Sequence, residues 1–218
     1  MDGFFAERNI TANDVTWMSS PFVRCLQTSN EALNAFQQVD VDNLKILPEY
    51  AVFEWDGHNG EWHKDLPPLE ERVHYFPRVD LEYETIFVPE IPEDRSNFMN
   101  RCQKAIDGIH KRHPYSKKSA IVIVSHAAGC VMLSKLLSQS NLTDITPAAP
   151  CSIYGFTRSS NTNVWTLDAH DKKGGLNGHT DHISDLGTST VPWNNFGDGK
   201  TKFYTGPKTS RFAPKEES

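Results

Sequence analysis

The sequence predicts an α/β fold built on a mostly parallel sheet, and three observations carry that reading. Strand-like and helix-like segments alternate along most of the chain, an order that sets successive strands parallel with helices between them. Residues Ala120–Ser125 (AIVIVS) form a continuous apolar run, as expected of a strand buried on both faces of a parallel sheet. The 218 residues are 38% hydrophobic and 23% charged, an ordinary globular balance whose length suits one α/β domain with an extension, or at most two small domains.

The elements follow in order. Val15–Ser19 (VTWMS) is rich in strand formers, and Ser20-Pro21 marks a turn after it. A helix is predicted over Phe22–Phe36, where Val23, Leu26, Leu33 and Phe36 recur at helical spacing. Leu44–Leu47 (LKIL) reads as a second strand stopped by Pro48. From Glu49 to Glu93 prolines, aromatics and charges alternate without a period, so this stretch is expected to carry function or short elements of its own. A helix starts near Asp94 with Phe98, Cys102, Ile106 and Ile109 as its apolar stripe, and Pro114 ends it. The AIVIVS strand then leads through His126-Ala127-Ala128-Gly129 into a helix containing Val131, Leu133 and Leu137. Ser152–Thr157 and Val164–Leu167 are predicted to form a hairpin around Ser159–Asn163. Beyond Asp168 the chain is rich in Gly, Asn, Asp and Thr, and irregular structure with a fraying polar tail is expected.

Composition excludes several classes. A net charge of −6 argues against a general nucleic-acid surface, so direct nucleic-acid binding is not expected. No apolar run is long enough to span a bilayer, and the first residues carry neither a basic nor an apolar leader segment. Cys25, Cys102, Cys130 and Cys151 lie far apart. They read as buried free thiols of a reducing compartment, cytoplasmic or nuclear. No metal-ligand spacing is found. The His179-Thr180-Asp181-His182 segment lacks a third ligand and reads as a surface loop. Trp55, Trp62, Tyr75 and Phe76 are expected to make a small satellite core.

In a parallel sheet, ligands collect outside the carboxyl ends of the strands. Two places qualify: Ser19–Arg24 after the first strand, and Ser125-His126-Ala127 after AIVIVS. Each joins a strand end to a helix start, where N–H groups and the helix dipole favour an anion. Arg24 adds a guanidinium that stays charged and holds two phosphate oxygens at once. The segment from Glu49 to Gly57 sets two carboxylates, Glu49 and Glu54, near aromatics, a setting that suits a general acid.

Taken together, three segments resemble the motifs of the histidine phosphatase superfamily, the phosphoglycerate-mutase-like proteins. Ser19–Thr28 (SSPFVRCLQT) resembles its "SSP-x-x-R-x-x-QT" motif. Glu49–Gly57 resembles "E-x-x-x-F-x-W-E-G", with Asp56 at the second glutamate. Val124–Ala128 resembles its "V-(S/T)-H" motif. The resemblance runs from about Val15 to Leu167 and implies a three-layer α/β sandwich. It also implies a metal-independent reaction with no cofactor, in which a histidine attacks the phosphoryl group. By the same resemblance Arg24, Ser20 and Ala127 would bind the phosphate, His126 would be the second histidine, and Glu49 would donate the proton, with Glu54 as the other candidate. The expected ligand is a phosphorylated small molecule or a phosphoprotein.

One departure matters. The family's nucleophile lies in an Arg-His-Gly motif on a first strand, and that tripeptide occurs nowhere in the chain, whose first histidine is His58. Met1–Asp14 read as the tail of the helix after that strand, so the first strand is expected to be missing. The chain is then either an incomplete phosphatase or a non-catalytic phosphate-binding or assembly module with protein partners. Phe53-Glu54-Trp55 resembles the suppressor-of-T-cell-signalling phosphatases. Pro150-Cys151-Ser152-Ile153 resembles the phosphatase-like subunit of the polymerase III factor TFIIIC. The expected organisation is a domain over 1–170 with an insert at about 56–93, then an irregular extension over 171–218.

Overall fold

A computed structural model describes residues 2–36, 43–56, 67–114, 119–158, 164–169 and 176–179. The chain divides into two compact units, Met1–His126 and Ala127–Ser218.

The first unit contains α1 (Asp2–Glu7), β1 (Val15–Ser19), α2 (Val23–Asn34), β2 (Ile46–Pro48), α3 (Leu69–Val73), α4 (Arg95–Arg112) and β3 (Ala120–Val124). Its sheet has the order β2-β1-β3 and is parallel throughout. The fold is therefore α/β with a parallel sheet, as the alternation of segments predicts. β1 is central, with Trp17 paired to Ile46 on one side and to Val122 on the other. Trp17, Ile46, Leu26, Leu33, Phe36 and Phe76 form the main apolar core. Each large side chain buried there contributes about 1.5–3 kcal/mol.

Helix α2 buries Cys25, Leu26, Ser29 and Leu33. Val23 is 42% exposed, because the buried stripe begins two residues later than the spacing predicts. β2 starts two residues later than the LKIL reading and ends one residue later, at Pro48. Pro48 ends the strand from within, and the ladder runs on through the Glu49 amide, which donates to the Ser19 carbonyl at 2.8 Å. The residues around Val79 add to the sheet at Ile46 by an isolated parallel bridge. α4 starts as the sequence predicts. The Asp94 carboxylate accepts from the Asn97 amide at 2.7 Å, and the stripe Phe98, Cys102, Ile106, Ile109 is buried.

Three further expectations are corrected. β3 is half-buried at every residue rather than buried on both faces, since among the described residues it pairs on one edge only, with β1. Apolarity reported the strand but not how many neighbours it has. Of the cysteines, only Cys25 and Cys102 are buried, while Cys130 is half-buried and Cys151 exposed. Tyr75 stands 75% exposed rather than in a satellite core, whereas Phe76 joins the main one.

The second unit contains α5 (Ala127–Ser138), β4 (Ile153–Tyr154), β5 (Phe156–Arg158), β6 (Trp165–Leu167) and β7 (Asn177–His179). The predicted hairpin is present as β5 against β6, antiparallel. Its first strand is split, however, and β4 pairs with β7 instead. The split falls at Gly155, whose amide donates to Leu176 while its carbonyl accepts from Asp168. A Cβ at residue 155 would stand 2.5 Å from an Asp168 carboxylate oxygen and 2.7 Å from a Leu176 methyl, so only glycine fits. β7 also places ordered structure where irregular chain was expected. Ser159–Asn163, Trp62, His182 and the C-terminal tail lie outside the described residues. No helix among the described residues is long and apolar enough to cross a membrane.

Candidate functional site

The site forms where β1 and β3 end side by side. The Ser20 amide donates to the Val124 carbonyl at 2.8 Å, which brings Ser20 and His126 to the same rim. The Ser125 hydroxyl donates to the Val52 carbonyl at 2.8 Å and ties the Tyr50–Val52 turn to that rim. Arg24 sits in the first turn of α2, with its guanidinium 4.4 Å above the Phe22 ring.

Arg24, Ser20 and His126, drawn from two distant parts of the sequence, meet at hydrogen-bond distance. His126 Nε2 lies 2.8 Å from Ser20 Oγ. Its Nδ1 accepts from Arg24 Nε at 3.2 Å and lies 2.9 Å from Nη2. Nδ1 faces a guanidinium, which can only donate, while the Ser20 hydroxyl both donates and accepts, so its pair with Nε2 holds in either tautomer. The ring is 4% exposed, and Phe22 packs edge-on against it at 5.0 Å. Burial pushes the His126 pKa below its ordinary value. The charges of Arg24 and Arg101 add to this, against the opposing pull of Glu54. Ala127 is the first residue of α5 and opens the second unit.

The carboxylate at this site is Glu54. A single oxygen, Oε2, lies 3.0 Å from Arg24 Nη2 and 3.1 Å from His126 Nδ1. Burial pushes the Glu54 pKa up, but the hydrogen bond and charge of His126 and the charge of Arg24 outweigh it, leaving a net lowering. Glu54 is thus an ionised internal anion on the two groups that would bind an external one.

Glu49, the residue expected to donate the proton, is hydrogen-bonded to a different set of groups. It is fully buried, and its carboxylate accepts from the Ala51 amide at 2.8 Å, Tyr83 Oη at 2.7 Å, Thr85 Oγ1 at 2.5 Å and the Ile86 amide at 3.1 Å. The Tyr83 hydroxyl is pushed to higher pKa, first by burial and then by Glu49. These donors come from the Tyr50 turn and the 83–86 segment.

Two neighbours of the site were not foreseen from the sequence. Cys25 Sγ lies 3.6 Å from His126 Nε2. Arg101, on α4, is buried and donates to the carbonyls of Ala51 and Phe53. Its place at helical spacing within the apolar stripe of α4, three residues after Phe98, was the available signal. A cavity of about 280 Å³, lined among others by Tyr50, Phe53, Leu69 and Arg72, adjoins this region. Phe53, which lines it, packs against Phe22 at 4.5 Å, and Phe22 packs against the imidazole. Among the described residues no group of three His, Cys, Asp or Glu side chains is arranged to hold a metal ion.

A sequence profile described as "Histidine phosphatase superfamily (branch 1)" matches residues 3–170. The chain belongs to the histidine phosphatase superfamily. No curated protein matches it in sequence. Among solved structures, 15 chains match. One is the ecdysone phosphate phosphatase from Bombix mori, crystallised in complex with tungstate. It shares 17% identity and a TM-score of 0.43 over 62% of this chain. The match covers 51% of that phosphatase, so this chain spans about half of it.

Proposed function

We propose that the chain binds the phosphoryl group of a phosphorylated small molecule or phosphoprotein at Arg24, His126 and Ser20, and that these 218 residues bind it without turning it over. The observation that carries the reading is the meeting of guanidinium, imidazole and hydroxyl within 2.8–3.2 Å at the rim of a parallel sheet. A superfamily that acts on phosphate esters supports it. In this reading Arg24 spreads the phosphate charge, and His126 and Ser20 orient the remaining oxygens. Glu54 replaces Glu49 as the carboxyl of the site, because it alone of the two is hydrogen-bonded to Arg24. These residues include no Arg-His-Gly motif, so they supply phosphate binding without the nucleophile, as part of a histidine phosphatase or, alternatively, as a phosphate-binding module of a larger assembly, in the cytoplasm or the nucleus. The test pairs two measurements on the purified chain. Calorimetry should show inorganic phosphate binding, and p-nitrophenyl phosphate should not be hydrolysed. Turnover that disappears in His126→Ala would overturn the non-catalytic half. Absence of phosphate binding would overturn the whole reading.

The internal anion makes binding depend on pH in a definite direction. At neutral pH Glu54 is ionised and His126 is neutral, so an incoming dianion meets one negative charge and only one positive charge. Acidification charges His126 first, while Glu54, held below the ordinary carboxylate value, stays ionised, and the added positive charge favours the dianion. Because the His126 pKa lies below 6.5, the gain should begin below that value. Sulfate, which stays a dianion throughout, is expected to bind severalfold more tightly at about pH 5.5 than at about pH 7.5. Glu54→Gln should raise its affinity at the higher pH and flatten the profile. A profile that is flat in the wild type would contradict this arrangement of charges.

A further inference from the structure

We propose that Arg101 is a positioning residue for the anion site, holding from inside α4 the loop that presents Glu54 to Arg24 and His126. Its purpose rests on the phosphate-binding reading, although its geometry does not.

A buried guanidinium costs several kcal/mol in lost hydration unless its charge and its donors are met. Arg101 is 5% exposed and Glu93 beside it 3% exposed. Arg101 Nε donates to both Glu93 oxygens at 3.0 and 2.9 Å, and Nη2 lies 2.5 Å from Oε1. The charge is thereby balanced, but that uses only part of the five-donor fork. Nη1 reaches the carbonyls of Ala51 at 2.9 Å and Phe53 at 3.1 Å, and Nη2 reaches that of Glu54 at 3.5 Å. Three carbonyls from four consecutive residues therefore point at one cation.

Carbonyl dipoles aimed at one point repel each other, and the cation is what holds them there. Residues 53–56 have no regular secondary structure to fix them otherwise. The far side of Glu54 is held by the same helix. The Trp55 indole stacks on Phe98 at 5.2 Å and donates to the Glu93 carbonyl at 3.2 Å. With Phe53 and Trp55 both anchored, the Glu54 side chain has little choice of direction. Its Oε2 meets Arg24 and His126 while its Oε1 accepts from the Trp55 amide at 3.1 Å. Packing alone would be served as well by an apolar pair of similar volume, which is often no less stable than a buried ion pair. The fork geometry is what an apolar pair, or a lysine, cannot supply.

The experiment reads Glu54's position through its neighbour. His126 is faced by Glu54, Arg24 and Cys25 and feels the charge of Arg101. Arg101→Lys keeps that charge and loses the fork, so a change in His126 titration reports displacement of Glu54 and not loss of the cation. Imidazole NMR signals, assigned by comparison with His126→Gln, give the titration midpoint in the full chain. The midpoint should fall by about one pH unit in Arg101→Lys, as expected when a nearby opposite charge moves away. In a Glu54→Gln background the same substitution should leave it unchanged. An unchanged midpoint in Arg101→Lys, or equal falls with and without the Glu54 carboxylate, would overturn the proposal. Should Arg101→Lys not fold, Glu93→Gln loosens Arg101 with little change of shape, and the same comparison applies. Adding inorganic phosphate to the wild-type sample tests the binding reading separately. A silent site with the Arg101 effect intact would sink that reading and support the positioning role.

Discussion

Arg24→Ala is expected to raise the dissociation constant for inorganic phosphate by about 10- to 100-fold, the loss of one charge-assisted hydrogen-bonding group worth about 1.5–3 kcal/mol. Arg24 is the right residue to test because its side chain is half exposed. It can turn toward a ligand, whereas Arg101 is committed to Glu93 and three carbonyls. Exposure also means that the fold should tolerate the change. Arg24 is not among the α2 residues buried in the core, and its pairs lie at the rim, so the effect on stability should stay within about 1 kcal/mol. Arg24→Lys should recover part of the affinity but not all, since an ammonium is a point charge where the guanidinium offers a planar fork. Calorimetric titration, with a melting curve for each variant, separates the two effects. An unchanged dissociation constant in a folded Arg24→Ala protein would remove Arg24 from the site.

Arg24, Ser20 and His126 were legible because each depends on a local rule, a strand end meeting a helix start, and the parallel sheet then brings the two ends together. Choosing between Glu49 and Glu54 was beyond such a rule. They are five residues apart on one segment, with the Tyr50–Val52 turn between them, and they meet different partners. What draws Glu49 inward is a set of donors at Tyr83, Thr85 and Ile86, in a stretch where no period shows which side chains face in. The same limit applies to Arg101. Its position in the apolar stripe of α4 was visible, but its partners at residues 51–54 and 93 come from a loop and a helix entry whose approach no spacing encodes. β3 shows the limit from the other side, for AIVIV declares a strand in an apolar setting but not how many of its edges are paired.

Glu49→Ala is expected to destabilise the fold by about 3–5 kcal/mol while leaving phosphate binding by the surviving folded fraction unchanged. The size follows from what the carboxylate holds. Two amides and two hydroxyls donate to it, and it is fully buried, so no water takes its place. Removing it leaves four donors to seek new partners in a cavity, each costing about 1–3 kcal/mol if none is found. Relaxation of the 83–86 segment limits the total. Glu49→Gln is the sharper comparison. It keeps the volume but swaps one acceptor oxygen for a donor among groups that already donate, so most of the loss should remain. Chemical denaturation measures both variants. A proton donor to a leaving group would behave in the opposite way, with little cost in stability and a clear effect on ligand or turnover. If Glu49→Gln unfolds at the wild-type denaturant concentration yet alters phosphate binding, Glu49 belongs to the site after all and Glu54 does not displace it. If it unfolds early and binds normally, the acidic segment contains two carboxylates with separate tasks: one fastens the 83–86 segment to the end of the sheet, and the other faces the anion.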